Sequence, residues 1–282
     1  MGNAIKIAGR KLLPVGLGTW HMGDDPKEEQ QEIKALQAGL DHGATVIDTA
    51  EMYGEGNSER LVGKAIHSYR RDDLFLISKV YPWNASKKQL PKSLAASLKR
   101  LGTDYLDLYL LHWTGNIALE ETVAALENAR QSGKIRAWGV SNFDVSDLEE
   151  LYKIPGGENC QANEVLYNLG ERGTEFDLQP YMKKRELPLI AYSPLNQGDR
   201  RQNLANAPEV QQIAKNHEVS VYQLLLAWTV QKEGILAIPQ SSNAKHTLEN
   251  VKATEIKLTK DELMVLDKAF PAPTSKQSLS II

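Results

Sequence analysis

Residues 74–112 read LFLISKVYPWNASKKQLPKSLAASLKRLGTDYLDLYLLH. An apolar run from Leu74 to Val80 opens this stretch, and a second run from Leu106 to Leu111 closes it. The segment between them, Lys88 to Leu101, has leucines at the spacing of one helix face: Leu90, Leu94, Leu98 and Leu101. The stretch therefore predicts a strand, a helix and a second strand, which is the repeating unit of parallel sheets.

The same unit recurs along the chain. Apolar runs predict eight strands: Val15–Gly18, Ala44–Ile47, Leu74–Val80, Leu106–Leu111, Ile135–Val140, Cys160–Asn163, Leu189–Tyr192 and Ile235–Ile238. A helical pattern follows each strand, and two extra helices are predicted near the end, at Ala244–Val251 and Lys260–Ala269. A hairpin turning on Gly9 precedes the first strand. Residues 1–282 are therefore predicted to form one α/β domain, a (β/α)8 TIM barrel with an amino-terminal hairpin plug.

An open doubly wound sheet is the alternative architecture. It would require a glycine-rich dinucleotide fingerprint after its first strand. The nearest candidate, Gly16-Leu17-Gly18-Thr19-Trp20-His21, has His21 where the third glycine belongs. The missing fingerprint favours the barrel.

The composition argues against several functional classes. A net charge of -3 in 282 residues gives no basic surplus for nucleic acid. No apolar run approaches the ~20 residues of a membrane span, and the first residues contain no apolar signal region. The lone cysteine, Cys160, fits a reducing compartment. We expect a cytoplasmic protein with no nucleic-acid or membrane partner and no metal site.

Four polar residues lie at or just beyond predicted strand ends: Asp48, Tyr53, Lys79 and His112. A barrel brings the carboxyl ends of its strands to one face, where catalytic residues collect. Tyr53 is a candidate general acid, and an adjacent Lys79 ammonium is expected to lower its pKa. Asp48 would keep Lys79 charged, and a neutral His112 would donate a hydrogen bond to a substrate oxygen. Together they could reduce a carbonyl group, given a hydride donor.

Each residue also has a structural interpretation. Asp48 could cap a helix, Tyr53 could pack on the surface, Lys79 could extend to solvent and His112 could be a core residue. Lys79 could instead serve as the Schiff-base amine of a barrel lyase, although its pairing with Asp48 argues against this.

Five ordered motifs resemble the aldo-keto reductases: Asp48–Gly54, Lys79, Tyr105–Trp113, Gly139–Phe143 and Ala191–Leu195. The resemblance implies a barrel, usually monomeric, that binds NAD(P)H without a Rossmann fold. The family's catalytic residues match Asp48, Tyr53, Lys79 and His112 without substitution. The motifs are most similar to the bacterial branch, which includes methylglyoxal reductases. Some relatives are channel-associated subunits, so a non-catalytic binding role is the other alternative.

The resemblance also implies cofactor contacts. The implied residues are Gly18, Thr19, Trp20, Asp48, Ser141, Asn142, Gln161, Tyr192, Ser193, Pro194, Leu195, Gln197, Ile238, Gln240, Ser241, Ser242, His246, Glu249 and Asn250. Gln240 and His246 replace the lysine and arginine with which the family grips the 2′-phosphate of NADPH. NADPH is therefore the expected cofactor, with NADH as the alternative.

Aromatic residues after the strand ends predict the substrate pocket. Trp20, Trp83 and Trp113 are expected to line it with Tyr53 and His112, with Phe143 at its edge. A short loop after His112 and a short tail after Phe270 predict an open site for small aldehydes, ketones or dicarbonyls such as methylglyoxal.

Overall fold

The computed structural model describes residues 4–196 and 204–282. Its strands are β1 (Ile5–Ile7), β2 (Arg10–Leu12), β3 (Leu17–Gly18), β4 (Val46–Asp48), β5 (Phe75–Val80), β6 (Leu106–Leu111), β7 (Ile135–Ser141), β8 (Asn163–Leu166), β9 (Leu189–Tyr192) and β10 (Ile235–Ala237). Its α-helices are α1 (Glu29–Asp41), α2 (Asn57–Ile66), α3 (Leu90–Leu101), α4 (Leu119–Gln131), α5 (Val145–Leu151), α6 (Leu178–Lys184), α7 (Pro208–Asn216), α8 (Val221–Val230), α9 (Ala244–Lys252) and α10 (Lys260–Ala269).

Strands β3 to β10 form one parallel sheet in which neighbours in the chain pair with each other. The two edges of the sheet meet, because Val15 bridges Ala237 and Gly18 bridges Gln240. A Cβ atom at Gly18 would lie 2.5 Å from the carbonyl oxygen of Ile238, so glycine permits this close approach. The prediction of an α/β fold with eight parallel strands is confirmed.

The predicted position of the sixth strand of the sheet was wrong. The sequence predicted a strand at Cys160–Asn163, whereas β8 runs from Asn163 to Leu166. Its first two residues are polar but fully or almost fully buried. The Asn163 amide donates to the carbonyl oxygen of Phe143 at 2.8 Å, and Glu164 forms an ion pair inside the sheet. These buried polar side chains interrupt the apolar pattern that marks the other strands.

Side chains on the strands alternate between the interior of the curled sheet and the surrounding helices. One buried cluster lies inside the sheet: Val46, Phe75, Ile77, Leu108, Leu110, Ala137, Ala162, Ile190, Leu236 and Ile238. Ile5, Ile7 and Leu12 of the antiparallel β1–β2 pair belong to the same cluster. Leu76 and Val80 lie on the other face of β5, in the larger cluster that includes helix residues. The side chains inside the sheet therefore form a cluster that is separate from the cluster between the sheet and the helices.

A buried carboxylate joins α2 to α3 and β5. Glu59 has no exposed surface. It accepts hydrogen bonds from the Ser78 hydroxyl at 2.6 Å and from Arg100 Nε at 2.5 Å. Because an unpaired buried charge is costly, this ion pair constrains the packing of the helices behind the site.

We predict that Arg100→Met destabilises the protein by about 3–5 kcal/mol, because it leaves the Glu59 carboxylate buried without its cation. The matched control is Lys64→Met, since Lys64 pairs with Glu29 at the surface and such a pair contributes at most about 1 kcal/mol. Urea unfolding of both variants measures the difference. Equal destabilisation of the two variants would contradict this prediction.

Candidate active site

The last interior position of several neighbouring strands is occupied by a polar side chain. Asp48 ends β4 two residues beyond the interior Val46, and Lys79 lies two residues beyond Ile77 on β5. His112 follows β6 two residues beyond Leu110, another interior residue. The period of two in a strand therefore aims these side chains into one space at the carboxyl end of the sheet.

The ammonium group of Lys79 is the centre of this space. Lys79 is fully buried, and its Nζ lies 2.6 Å from Asp48 Oδ1. It also donates to the Thr49 carbonyl oxygen at 3.2 Å and to the Tyr53 hydroxyl oxygen at 3.0 Å. These three acceptors satisfy the three N–H donors of an ammonium. Since Lys79 donates to the phenol oxygen, the proton of Tyr53 is free to point away from it.

The charges around Lys79 determine its protonation. Burial alone would lower the pKa of Lys79, but the carboxylates of Asp48 and Glu164 raise it above the ordinary lysine value. In the resting protein the lysine is therefore an ammonium at neutral pH.

The expectation that the pKa of Tyr53 is lowered was wrong. Burial raises the pKa of Tyr53 above its ordinary value and outweighs the favourable charge of Lys79. The negative charges of Asp48 and Glu164 raise it further. Tyr53 is therefore fully protonated at neutral pH, and Lys79 only limits the rise.

His112 is a neutral imidazole beside the tyrosine. The two ring centroids are 6.0 Å apart in an edge-to-face arrangement. Burial, with the nearby charge of Lys79, lowers the pKa of His112 to about 3. Within the described residues its buried Nδ1 has no hydrogen-bond partner. The ring can therefore interact with an incoming group without carrying a charge.

A second buried acid was missed by the sequence analysis. Glu164 lies on β8 two residues beyond the interior Ala162, and its Oε1 is 3.4 Å from Lys79 Nζ. Its interior position could have been found from the alternation along β8, but the misplaced strand concealed it.

A cavity of about 250 Å3 opens beside these groups. Most of the predicted site residues line it: Gly18, Thr19, Trp20, Asp48, Tyr53, His112, Trp113, Ser141, Asn142, Tyr192, Ser193, Pro194, Leu195, Ile238 and Gln240. Residues that were not predicted also line it: His21, Met52, Glu164, Asn196, Pro239, Ile281 and Ile282. Ile281 and Ile282 thus form part of the wall of a cavity that the short tail was expected to leave open.

Asn142 and Tyr192 are fixed to each other at the wall of the cavity. The Tyr192 hydroxyl donates to Asn142 Oδ1 at 2.9 Å, and the Asn142 amide donates to the carbonyl oxygen of His112 at 3.2 Å. Asn142 has φ +60°, a conformation that asparagine tolerates better than most residues. These contacts present an amide and a hydroxyl to whatever occupies the cavity.

Several predicted residues do not line this cavity. Gln161 precedes β8, and its side-chain amide donates to the Asn159 carbonyl oxygen at 3.2 Å. Phe143 is fully buried in the core rather than at the pocket edge. Trp83 is 60% exposed and stacks on Tyr81, because it follows the strand on an outer turn.

The predicted adenosine end lies at the start of α9, next to the part of the cavity that Gln240 lines. Gln240 and His246 are exposed there, and Asn243 caps the helix by accepting from the backbone N–H groups of Lys245 and His246. The other residues predicted for this end are Ser241, Ser242, Glu249 and Asn250, of which Asn250 is buried. Gln197 lies outside the described residues.

The geometry agrees with comparisons to known proteins. The sequence model of the Aldo/keto reductase family matches residues 14–270. The chain belongs to this family. The fold is consistent with that of an aldo/keto reductase, and the chain is an oxidoreductase.

Two curated relatives and one solved structure illustrate the similarity. Methylglyoxal reductase YeaE of Escherichia coli K12 is 49% identical over 281 residues, which cover 99% of this chain and 98% of the relative. Glyoxal reductase of Bacillus subtilis is 35% identical over 254 residues, covering 89% of this chain and 87% of the relative. An aldo/keto reductase of Klebsiella pneumoniae, solved with NADP and acetate, is 45% identical with a TM-score of 0.98 over the whole of both chains.

A search of residues 4–196 and 204–282 for membrane spans found no helix of sufficient length and apolar character.

We predict that the imidazole of His112 stays neutral from about pH 5 to pH 8, because burial has moved its pKa far below the ordinary value near 6.5. Its ring resonances, followed by NMR and assigned with the His112→Gln variant, should not shift over this range. A titration midpoint near pH 6.5 would contradict the proposed desolvation.

Proposed function

We propose that this protein reduces small aldehydes, ketones or dicarbonyls to alcohols, with hydride from a nicotinamide cofactor and a proton from Tyr53. The observation that supports this is the contact at 3.0 Å between the Tyr53 hydroxyl and the buried ammonium of Lys79, beside His112 in one cavity. The 49% identity to a methylglyoxal reductase supports the class of substrate.

The proposed roles follow from charge. Tyr53 is protonated before the reaction, so the proton is present on the donor. As it leaves, the tyrosinate that forms is stabilised by Lys79, whose charge is held by Asp48. A neutral His112 is placed to orient the carbonyl oxygen by a hydrogen bond. General acid catalysis of this type contributes about 10²–10⁴-fold to the rate.

The cofactor would supply the hydride. Its amide can be held by the polar groups of Ser141 and Asn142, and Tyr192 offers an aromatic face at the same wall. The solved Klebsiella relative binds NADP, and this supports a nicotinamide cofactor here. The residues that line the cavity fit such a group, with aromatic, amide and hydroxyl side chains on one wall.

We propose NADPH as the cofactor and NADH as the alternative. Relatives solved with NADP or NADPH support the first. Gln240 carries no charge, and both Gln240 and His246 face solvent at the predicted adenosine end. A phosphate there would lack the charge-assisted hydrogen bonds that a lysine and an arginine provide.

A small substrate fits the shape of the cavity. Trp20 and Trp113 line it, and Ile281 and Ile282 cover part of it. Apolar walls beside the polar group at Tyr53 suit a compact carbonyl compound.

The alternatives are weaker on the same observations. A Schiff-base lyase requires an uncharged amine on Lys79, but its raised pKa and its contact with Asp48 keep that amine protonated. A non-catalytic subunit would not require Tyr53, Lys79 and Asp48 to be in hydrogen-bond contact.

We also propose that residues 1–282 form one domain that acts as a cytoplasmic monomer. The burial of Ile5, Ile7 and Leu12 among the interior strand residues supports a hairpin that closes the amino-terminal end of the barrel. Helices α9 and α10 would be the two extra helices of the barrel.

We predict that Tyr53→Phe lowers kcat for methylglyoxal reduction by about 10²–10⁴-fold, because it removes the acidic proton. Cofactor affinity, measured by fluorescence titration, should change little. The control is Tyr222→Phe, at an exposed tyrosine of α8. Wild-type activity in the Tyr53 variant would refute the acid assignment.

We predict that the double change Gln240→Lys with His246→Arg raises the preference for NADPH over NADH by about tenfold or more, through new charge-assisted contacts. The ratio of the two dissociation constants measures this. A second double variant, Gln212→Lys with His67→Arg, adds the same residue types at exposed positions of the surface. If both double variants shift the ratio equally, these two positions do not contact the phosphate.

A further inference from the structure

Glu164 is a buried acid to which the proposed reaction assigns no role. It is 2% exposed and lines the cavity. Its Oε1 contacts Lys79 Nζ at 3.4 Å, and its buried Oε2 receives no hydrogen bond from an N–H or hydroxyl group of the described residues. An unpartnered carboxyl oxygen at the wall of a reaction site requires an explanation, because burial of such an atom is costly.

The charges near Lys79 do not balance if both acids are ionised. Asp48 and Glu164 would carry two negative charges against the single positive charge of Lys79, and all three side chains are almost fully buried. Burial raises the pKa of both acids, and the charge of Asp48 raises the pKa of Glu164 further. A side-chain hydrogen bond between the two acids lowers the pKa of Asp48 and raises that of Glu164. Asp48 is the nearer, at 2.6 Å against 3.4 Å, so it is the one that stays ionised beside the lysine. The remaining proton belongs on Glu164.

The titratable groups around Glu164 are consistent with a protonated Glu164. Lys79 favours its ionised form, whereas Asp48 opposes it. Tyr53 from the turn after β4 and Tyr192 from β9 are neutral phenols, and an ionised Glu164 would raise their pKa values. The neutral His112 completes the cavity wall. Lys79 is thus the single cation of this group.

We propose that Glu164 stores a proton that returns to Tyr53 through Lys79 after each reduction. The proposal rests on the proposed function. The phenol O–H bond of Tyr53 breaks as an O–H bond forms on the substrate oxygen. An N–H bond of Lys79 then breaks to restore the phenol, and the carboxyl O–H bond of Glu164 breaks to restore the ammonium. Glu164 ends as a carboxylate and regains a proton from solvent.

The path is already connected. The Tyr53 hydroxyl oxygen lies 3.0 Å from Lys79 Nζ, and the same nitrogen lies 3.4 Å from Glu164 Oε1. The charge also balances, since loss of hydride leaves a positive charge on the cofactor ring while Glu164 becomes negative. Because opposite charges attract strongly in a poorly solvated site, the ionised form of Glu164 favours the oxidised cofactor. Glu164 is in this respect a positioning residue, acting through Lys79 rather than on the substrate.

The test is proton release on binding, which needs no turnover. Titration calorimetry is carried out in two buffers of different ionisation enthalpy. We expect the wild-type protein to release more protons when it binds NADP⁺ than when it binds NADPH. In Glu164→Gln this release should be lost, and the preference for NADP⁺ over NADPH should fall about tenfold or more. Equal proton release by the variant and the wild type would overturn the proposal.

Kinetics give an independent measurement. Glu164→Gln should form about one equivalent of product rapidly and then turn over slowly, because Tyr53 is not recharged, while Glu164→Asp should restore part of the steady rate. The control Glu233→Gln removes the same charge at the surface. If Glu164→Gln catalyses its first and later turnovers at the same rate, the proposal is overturned. Thermal melting identifies any variant that fails to fold. If the wild type reduces no carbonyl compound, the proposed function fails, but the calorimetric test of Glu164 still stands.

Discussion

The burial of the Lys79 ammonium is the constraint on which the site depends. A cation without solvent must be surrounded by acceptors, and the structure supplies Asp48, the Thr49 carbonyl oxygen and Tyr53. Those acceptors come from β4 and the turn after it, so the strand and the turn must hold their positions for the lysine to remain buried. The loss of any one acceptor would leave a partly unsatisfied charge in the core, and this couples the stability of the barrel to the geometry of its chemistry.

The interior column of side chains explains how residues distant in sequence meet. Several strands contribute apolar residues along their interior face and one polar residue at or just beyond the end. Phe75, Ile77 and Lys79 form such a series on β5, and Ala162 with Glu164 forms another on β8. Because the strands are parallel, the polar ends share one level. The alternation of side chains along each strand therefore places both the apolar residues of the interior and the polar residues of the site.

The sequence predicted the repeating unit, seven of the eight strand positions and the four residues around Lys79, since these are patterns of period two and of strand ends. The prediction failed where polar side chains are buried. The predicted strand at Cys160–Asn163 ended before Glu164, because the ion pair of Glu164 and the amide hydrogen bond of Asn163 are formed with residues distant in the sequence. The direction of the Tyr53 shift failed for the same reason, because desolvation depends on every neighbour packed around the phenol. Both the position of β8 and the pKa shift of Tyr53 depend on contacts between residues that are distant in the sequence.

The raised pKa of Tyr53 is compatible with its acid role. An acid must hold its proton until the substrate oxygen has become a strong base, and an alkoxide that forms as hydride arrives is a far stronger base than a phenoxide. Burial keeps the proton on Tyr53 in the resting state, and in the proposed reaction Lys79 would stabilise the phenoxide once the proton has left. The lysine thus acts on the transition state more than on the ground state, since the attraction between ammonium and phenoxide exists only when the phenol is ionised. A tyrosine already ionised at neutral pH would have no proton to give.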